Sequence, residues 1–397
     1  MGDTFTNTGS GEQNSAQGDN AIGKQENNTQ HVTGNGNVFS QTGNVRYEKH
    51  HHHYPRTAQG IPLQRPPLAE HFRGRDAVLE ELLPLLQPGK AVTLCGPGGM
   101  GKTALAAQAV WTLASGKEAP DRFPDGIIFY SFYGKHTAEE ALAHVVRSYD
   151  EQQQDVSPDA ARRLLAGKQV LLILDGAEEA DDLSALLKVR GGCGVLITSR
   201  KRSDARGELL QVRPLEEQFA AEVFRLHSGA AADDESVQGI CKILGGWPVG
   251  LRIAGCYIRN MCEDTADYLR WLEQEPFKEL GEDEEENAVL LLRRSIGQVS
   301  DDARLALGLM GTPVKWGEAD WGTFMWGGGA WLTYERVTAH LDGDEYRARK
   351  ALHELVNYGL LERQDKYWPW SHALIYAYAH KYLRHSDQRE ESPSSRL

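Results

Sequence analysis

The stretch Ala91-Val92-Thr93-Leu94-Cys95-Gly96-Pro97-Gly98-Gly99-Met100-Gly101-Lys102-Thr103-Ala104-Leu105-Ala106 constrains this chain more than any other. A short apolar run suited to a buried strand leads straight into GxxxxGKT, and a helix-forming run follows. Strand, glycine loop and helix in that order make a phosphate cradle. The glycines let backbone N–H groups curve around phosphate oxygens, and the helix N-terminus adds partial positive charge. Lys102 then reaches the β- and γ-phosphates, and the Thr103 hydroxyl ligates Mg²⁺. The expected nucleotide contacts are Gly96, Gly98, Gly99, Met100, Gly101, Lys102, Thr103 and Ala104, and the expected cofactors are ATP or ADP with Mg²⁺.

Such a loop needs a second strand to carry an acidic metal ligand. Gln169-Val170-Leu171-Leu172-Ile173-Leu174-Asp175 is a buried apolar strand ending in a carboxylate, so Asp175 joins Thr103 as a metal candidate. The position after Asp175 is Gly176, where many such enzymes place the acid that polarises water. Glu178 is the nearest substitute, with Glu179 beside it, so any ATP hydrolysis is expected to be slow or to depend on assembly. A third strand, Gly194 to Ser199, runs into Arg200. Its hydroxyl pair Thr198 and Ser199 and the guanidinium suit sensing of a γ-phosphate. Lys102, Asp175, Glu178 and Arg200 are thus the catalytic candidates.

The alternation of strands and amphipathic helices begins near Pro62 and predicts an α/β domain with a parallel sheet. Before it, residues 1–47 are Gly, Asn, Gln, Thr and Ser with scattered apolar side chains, and they explain a mean hydropathy of −0.50 in a chain that is 40% hydrophobic. This head cannot bury a core of its own. Small Gly-Asn units recur in it, among them Gly18-Asp19-Asn20, Gly34-Asn35-Gly36-Asn37 and Gly43-Asn44. It reads either as a solvated tail or as a segment whose amide side chains stack in ladders between chains. The run His50–His53 follows as a polar linker. The net charge of −13 lacks the basic excess of a nucleic-acid binder. Five cysteines without a CxxC pair suit a reducing cytoplasm. No apolar stretch reaches the roughly 20 residues of a membrane span.

The order of the remaining signals resembles the NB-ARC family of STAND-class signalling NTPases. His71-Phe72-Arg73-Gly74-Arg75 resembles the element that precedes the glycine loop in that family, with Arg75 near the adenine. Leu210 to Leu215 with the amphipathic Glu216–Ser228 resembles the opening of its helical ARC subdomain. Leu244-Gly245-Gly246-Trp247-Pro248 resembles its G-x-P motif, in which Pro248 would pack on the base. Ser371-His372-Ala373-Leu374 stands where the family has Met-His-Asp, whose histidine touches the β-phosphate of ADP. His372 matches and its two neighbours do not. The head likewise resembles the Gly/Asn/Gln-repeat amyloid-signalling motifs, including sigma-type prion-forming segments, found before some signalling NTPases.

The resemblance implies an α/β P-loop domain over residues 57–213, a helical ARC1 subdomain over 214–286 and a winged-helix domain over 287–385. The head and linker span 1–56, and a polar tail spans 386–397. Arg347 to Leu361 reads as a recognition-type helix ending at Gly359. The acidic run Gly281 to Glu286 reads as a linker. Trp316, Trp321, Trp326 and Trp331, five apart, share no single face. By resemblance the chain is an ADP/ATP switch that oligomerises with itself and passes the signal through its head. An effector carrying a similar motif would be the partner, in innate-immunity, cell-death or incompatibility-type signalling. No repeat of period 20–50 residues is present to serve as a sensor. The rival reading is an ATP-dependent DNA-binding regulator with Arg347, Arg349 and Lys350 on the recognition helix.

Overall fold

A computed structural model describes residues 60–133, 137–150, 153–275, 277, 284–309, 332, 334–364, 367–370 and 373–383. The polar head, the His50–His53 run, the tryptophans from Trp316 to Trp331 and His372 lie outside the described residues. The first part alternates α1 (Asp76–Leu85), β1 (Ala91–Cys95), α2 (Lys102–Leu113), β2 (Ile127–Ser131), α3 (Ala138–Arg147), α4 (Pro158–Leu165), β3 (Leu171–Asp175), α5 (Leu183–Val189), β4 (Gly194–Ser199) and β5 (Glu208–Gln211). The five strands pair in the order β2-β3-β4-β1-β5, every pair parallel. All five therefore end along one edge of the sheet.

The two faces of this sheet carry different cores because side chains alternate along a strand. On β3, Leu171 and Ile173 join one cluster, while Leu172 and Leu174 join the other with Ile128, Tyr130, Val195 and Ile197. Local chemistry starts the covering helices. Thr137 accepts from Glu140 N, Ser157 accepts from Ala160 N with Pro158 at the first helical position, and Asp182 accepts from Ala185 N.

The second part is largely helical: α6 (Glu217–Ser228), α7 (Ser236–Ile243), α8 (Pro248–Met261), α9 (Thr265–Gln274), α10 (Glu284–Ile296), α11 (Asp301–Leu309), α12 (Tyr334–His340) and α13 (Glu345–Asn357). An antiparallel hairpin of β6 (Glu362–Gln364) and β7 (Tyr367–Trp370) follows, then α14 (Ala373–Tyr378), which continues as a π turn to Leu383. The first sheet core runs on without a break into these helices through Trp247, Leu251, Leu292 and Leu352. Arg294 ties α10 to its neighbours. It bonds both Glu263 oxygens at 2.6 and 2.8 Å and lies 4.0 Å from the Trp271 ring centre and 4.7 Å from those of Tyr257 and Tyr268.

Two boundaries differ from those read in the sequence. The acidic run is not all linker, because α10 begins at Glu284. The helix expected from Arg347 starts at Glu345, because Asp344 accepts from both Tyr346 N and Arg347 N. It closes before Gly359, at φ 69°.

His227 on α6 gives this fold a pH limit. It is buried where α8 approaches α6 closely at Gly255, its ring 4.8 Å from that of His71 and its Nδ1 3.7 Å from Cys256 Sγ. Burial first, then the nearby Arg252, His71 and Arg259, pushes its pKa down to about 3. Below its ordinary pKa the unfolded chain takes up a proton that the fold refuses. Stability contributed by neutral His227 is therefore complete above pH about 6.5 and falls towards pH 3, by up to about 1.4 kcal/mol per unit. Urea midpoints measured between pH 7 and pH 4 should show this slope, and it should flatten in His227→Gln.

Candidate nucleotide site

The parallel sheet brings the expected residues together. The glycine loop leaves β1, Asp175 ends β3, Arg200 follows β4, and Ser131 to Tyr133 leave β2, all at the same edge. In open α/β sheets this carboxyl edge is where ligands bind.

A loop that turns its N–H groups towards phosphate has carbonyls that need donors elsewhere. Lys102 Nζ donates to Gly96 O at 2.7 Å and to Pro97 O at 2.8 Å. Trp247 Nε1 donates to Gly98 O at 2.8 Å, and Arg75 Nη2 donates to Met100 O at 3.0 Å. Gly99, at φ 79°, leaves room for that arrangement. A Cβ there would run into the Trp247 indole and come within 2.5 Å of Val249 Cγ1. Gly101 precedes α2, so Thr103 and Ala104 lie in its first turn. Met100 is buried in the core. Burial lowers the Lys102 pKa to about 8, with Glu178 the largest opposing charge. A desolvated ammonium of this kind gains strongly from phosphate oxygens.

Asp175 is fully buried and its carboxyl is pushed up by desolvation, countered by hydrogen bonds from Thr103 and Thr198. Thr103 Oγ1 donates to Oδ1 at 2.6 Å, Thr198 Oγ1 to the same oxygen at 2.7 Å and Ser131 Oγ to Oδ2 at 3.3 Å. A hydroxyl beside a carboxylate is a hard-oxygen pair that suits Mg²⁺. Thr103 and Asp175 would hold the ion, which would draw charge from phosphate oxygens.

Glu178 lies in a 3₁₀ turn just past Asp175, almost wholly buried. Arg200 Nε meets its Oε1 at 3.0 Å, the Arg200 amide donates to Oε2 at 3.1 Å and Tyr133 OH donates to Oε1 at 2.8 Å. Gly176, at φ 71°, makes this packing possible, since a Cβ there would lie 2.7 Å from the Tyr133 ring.

Some expectations shift with the geometry. The hydroxyl pair after β4 serves carboxylates: Thr198 bonds Asp175, and Ser199 donates to Asp204 Oδ2 at 2.6 Å. Pro248 begins α8, but the residues on either side of it, Trp247 and Val249, are the ones against Gly99. Arg75 is buried against the loop backbone through Met100. Sequence reasoning passed over Tyr133, Ser131 and the indole of Trp247. Only Ser131 and Tyr133, polar residues at the exit of an apolar strand, carried a signal. The bond from Trp247 spans 149 residues.

Trp247→Phe leaves the buried Gly98 carbonyl without its donor, at a cost of about 1–3 kcal/mol, and adds a cavity cost where the indole was larger than the phenyl ring. The loop should protect its amides less from hydrogen exchange and bind ADP more weakly. Wild-type exchange and affinity in this variant would show that the indole bond does not hold the loop.

Residues 90–230 match the NACHT domain family. Among curated proteins the chain is 29% identical over 213 residues to the regulatory protein AfsR of Streptomyces griseus, covering 49% of this chain and 21% of that protein. It is 27% identical over 242 residues to apoptotic protease-activating factor 1 of Danio rerio, covering 55% and 18%. The chain thus spans about a fifth of the length of these relatives. Among solved structures it is similar to a STAND protein with a tetratricopeptide repeat sensor from Pyrococcus horikoshii. There the identity is 16% and the TM-score 0.46, with 84% of this chain and 48% of that one covered. The family match and the strand–loop–helix geometry agree: residues 90–230 match a NACHT domain and have the parallel α/β architecture of a P-loop NTPase domain.

Proposed function

We propose that this protein is an ADP/ATP-dependent signalling switch of NB-ARC character. ATP binding with Mg²⁺ drives self-assembly, and the N-terminal segment passes the signal on. The observation that carries this reading is the set of donors on the glycine loop. Its carbonyls are held by Arg75 from the segment before α1, by Lys102 from α2 and by Trp247 from the helical part. Leu374 of α14 also approaches it, 3.5 Å from where a Gly98 Cβ would stand. A phosphate that draws Lys102 away from Gly96 and Pro97 disturbs a loop on which both helical ends of the chain rest. Differential contact of this kind is what lets a ligand shift a conformational equilibrium.

Residues 214–286 act in this reading as the ARC subdomain and 287–385 as the winged helix, with His372 sensing the ADP state. Assembly gathers copies of the head and raises their local concentration, which favours stacking of its Gly/Asn units and recruitment of an effector with a similar motif. Hydrolysis, slow in the single chain, resets the switch. The cytoplasm suits such a switch, and among the described residues no helix is long and apolar enough to cross a membrane.

The second reading is an ATP-dependent DNA-binding regulator. Against it, one edge of the Arg347 guanidinium on α13, Nε and Nη2, is already taken by Asp302 at 2.9 and 2.6 Å.

Full-length protein should enlarge with a non-hydrolysable ATP analogue and not with ADP, and the enlarged form should bind thioflavin T. Lys102→Ala should remove both effects in light scattering and fluorescence. Assembly that survives this substitution would overturn the switch, and salt-sensitive duplex binding without assembly would favour the regulator.

A further inference from the structure

Glu178 is held by more donors than a carboxylate awaiting substrate requires. Arg200 reaches it twice, through the guanidinium and the backbone amide, and Tyr133 reaches it once. The guanidinium that pairs with it also borders the glycine loop, since Arg200 Nε lies 3.6 Å from the position a Gly98 Cβ would take. Arg200 thus stands between a fixed carboxylate and the loop that takes phosphate. Tyr133 cannot follow it, because its ring is packed against the backbone of Gly176. Burial, then the charges of Glu178 and Asp175, drives the phenol well above its ordinary pKa, so it stays a donor. Lys102, Asp175 and Glu179 are further charges near this group, and Lys201 Nζ donates to the Glu178 carbonyl at 3.0 Å.

We propose that Glu178 and the γ-phosphate of ATP compete for Arg200, and that Tyr133 is the positioning residue that keeps Glu178 in place once Arg200 turns to the phosphate. This rests on the nucleotide-switch reading above. While Arg200 pairs with Glu178, the carboxylate oxygens and the guanidinium are engaged with each other, so each holds the other from the phosphate and its water. With Arg200 drawn to the γ-phosphate, Glu178 keeps two hydrogen bonds, from Tyr133 OH and from the Arg200 amide, and loses its counter-charge. It is then the base for hydrolysis. A water oxygen attacks the γ-phosphorus, and the bond from that phosphorus to the β,γ-bridging oxygen breaks. The electron pair leaves with ADP, and the water proton passes to Glu178. Products are ADP and inorganic phosphate. Competition of this kind builds discrimination between ATP and ADP into a single side chain.

The test uses full-length wild type, Tyr133→Phe, Glu178→Gln and the double variant, with mant-ADP and a non-hydrolysable mant-ATP analogue for affinity and single-turnover hydrolysis for rate. Glu178→Gln should lose hydrolysis and raise the ratio of ATP-analogue to ADP affinity about tenfold, because the phosphate no longer competes with a carboxylate. Tyr133→Phe should lower the hydrolysis rate about tenfold or more while both affinities stay within about twofold of wild type. In the Glu178→Gln background it should change nothing further. An unchanged affinity ratio in Glu178→Gln, or a wild-type rate in Tyr133→Phe, would overturn the proposal. If Tyr133→Phe fails to bind ADP through misfolding, the affinity ratio of Glu178→Gln still decides. Wild type that binds and assembles on ATP without ever hydrolysing it sinks this proposal and leaves the switch standing. Wild type that binds no nucleotide sinks both.

Discussion

The rest of this structure depends on a requirement of the peptide backbone. A loop that offers N–H groups to phosphate must find donors for its carbonyls, and a tight glycine loop cannot supply them from within. Here Lys102, Trp247 and Arg75 do so from three separate parts of the chain. The arrangement makes the loop stiff, and it also makes it a junction. The indole is anchored in the helical part and the buried guanidinium before the sheet, so the loop joins both to Lys102.

A second requirement concerns charge. Asp175 is removed from water entirely, which carboxylates tolerate only with good hydrogen bonds. It has hydroxyl donors from α2, β4 and β2, so neighbouring elements converge on one group. Glu178 is treated in the same way by Tyr133 and Arg200. The carboxyl edge of the parallel sheet thus holds two buried acids a short distance apart, one with neutral donors only and one with a cation. Asp175 is met by hydroxyl donors alone, whereas Glu178 is met by a phenol, an amide and a guanidinium.

Much of the first part was legible in the sequence. The glycine loop, the strand ending in Asp175 and the strand before Arg200 are local patterns, each set by a run of apolar residues and its polar stop. The amphipathic run Glu216–Ser228 is α6 to within one residue, for the same reason. Boundaries slipped where a single cap decides them, as at Asp344, or where a charged run reads as linker although its end already opens a helix, as at Glu284. The carboxylate partners of Thr198 and Ser199 were not legible, because strand periodicity says which face a hydroxyl takes and not which carboxylate waits there.

The sequence by itself determined that residues 91–106 form a strand, a phosphate loop and a helix, because glycines, lysine and threonine at those spacings act through neighbouring backbone. Only the tertiary structure decided that Trp247 closes the loop, that Tyr133 shares Glu178 with Arg200 and that three hydroxyls steady Asp175. Those contacts join residues tens to more than a hundred positions apart. They exist because a parallel sheet gathers all its strand ends at one edge, and no local pattern of residues encodes that gathering.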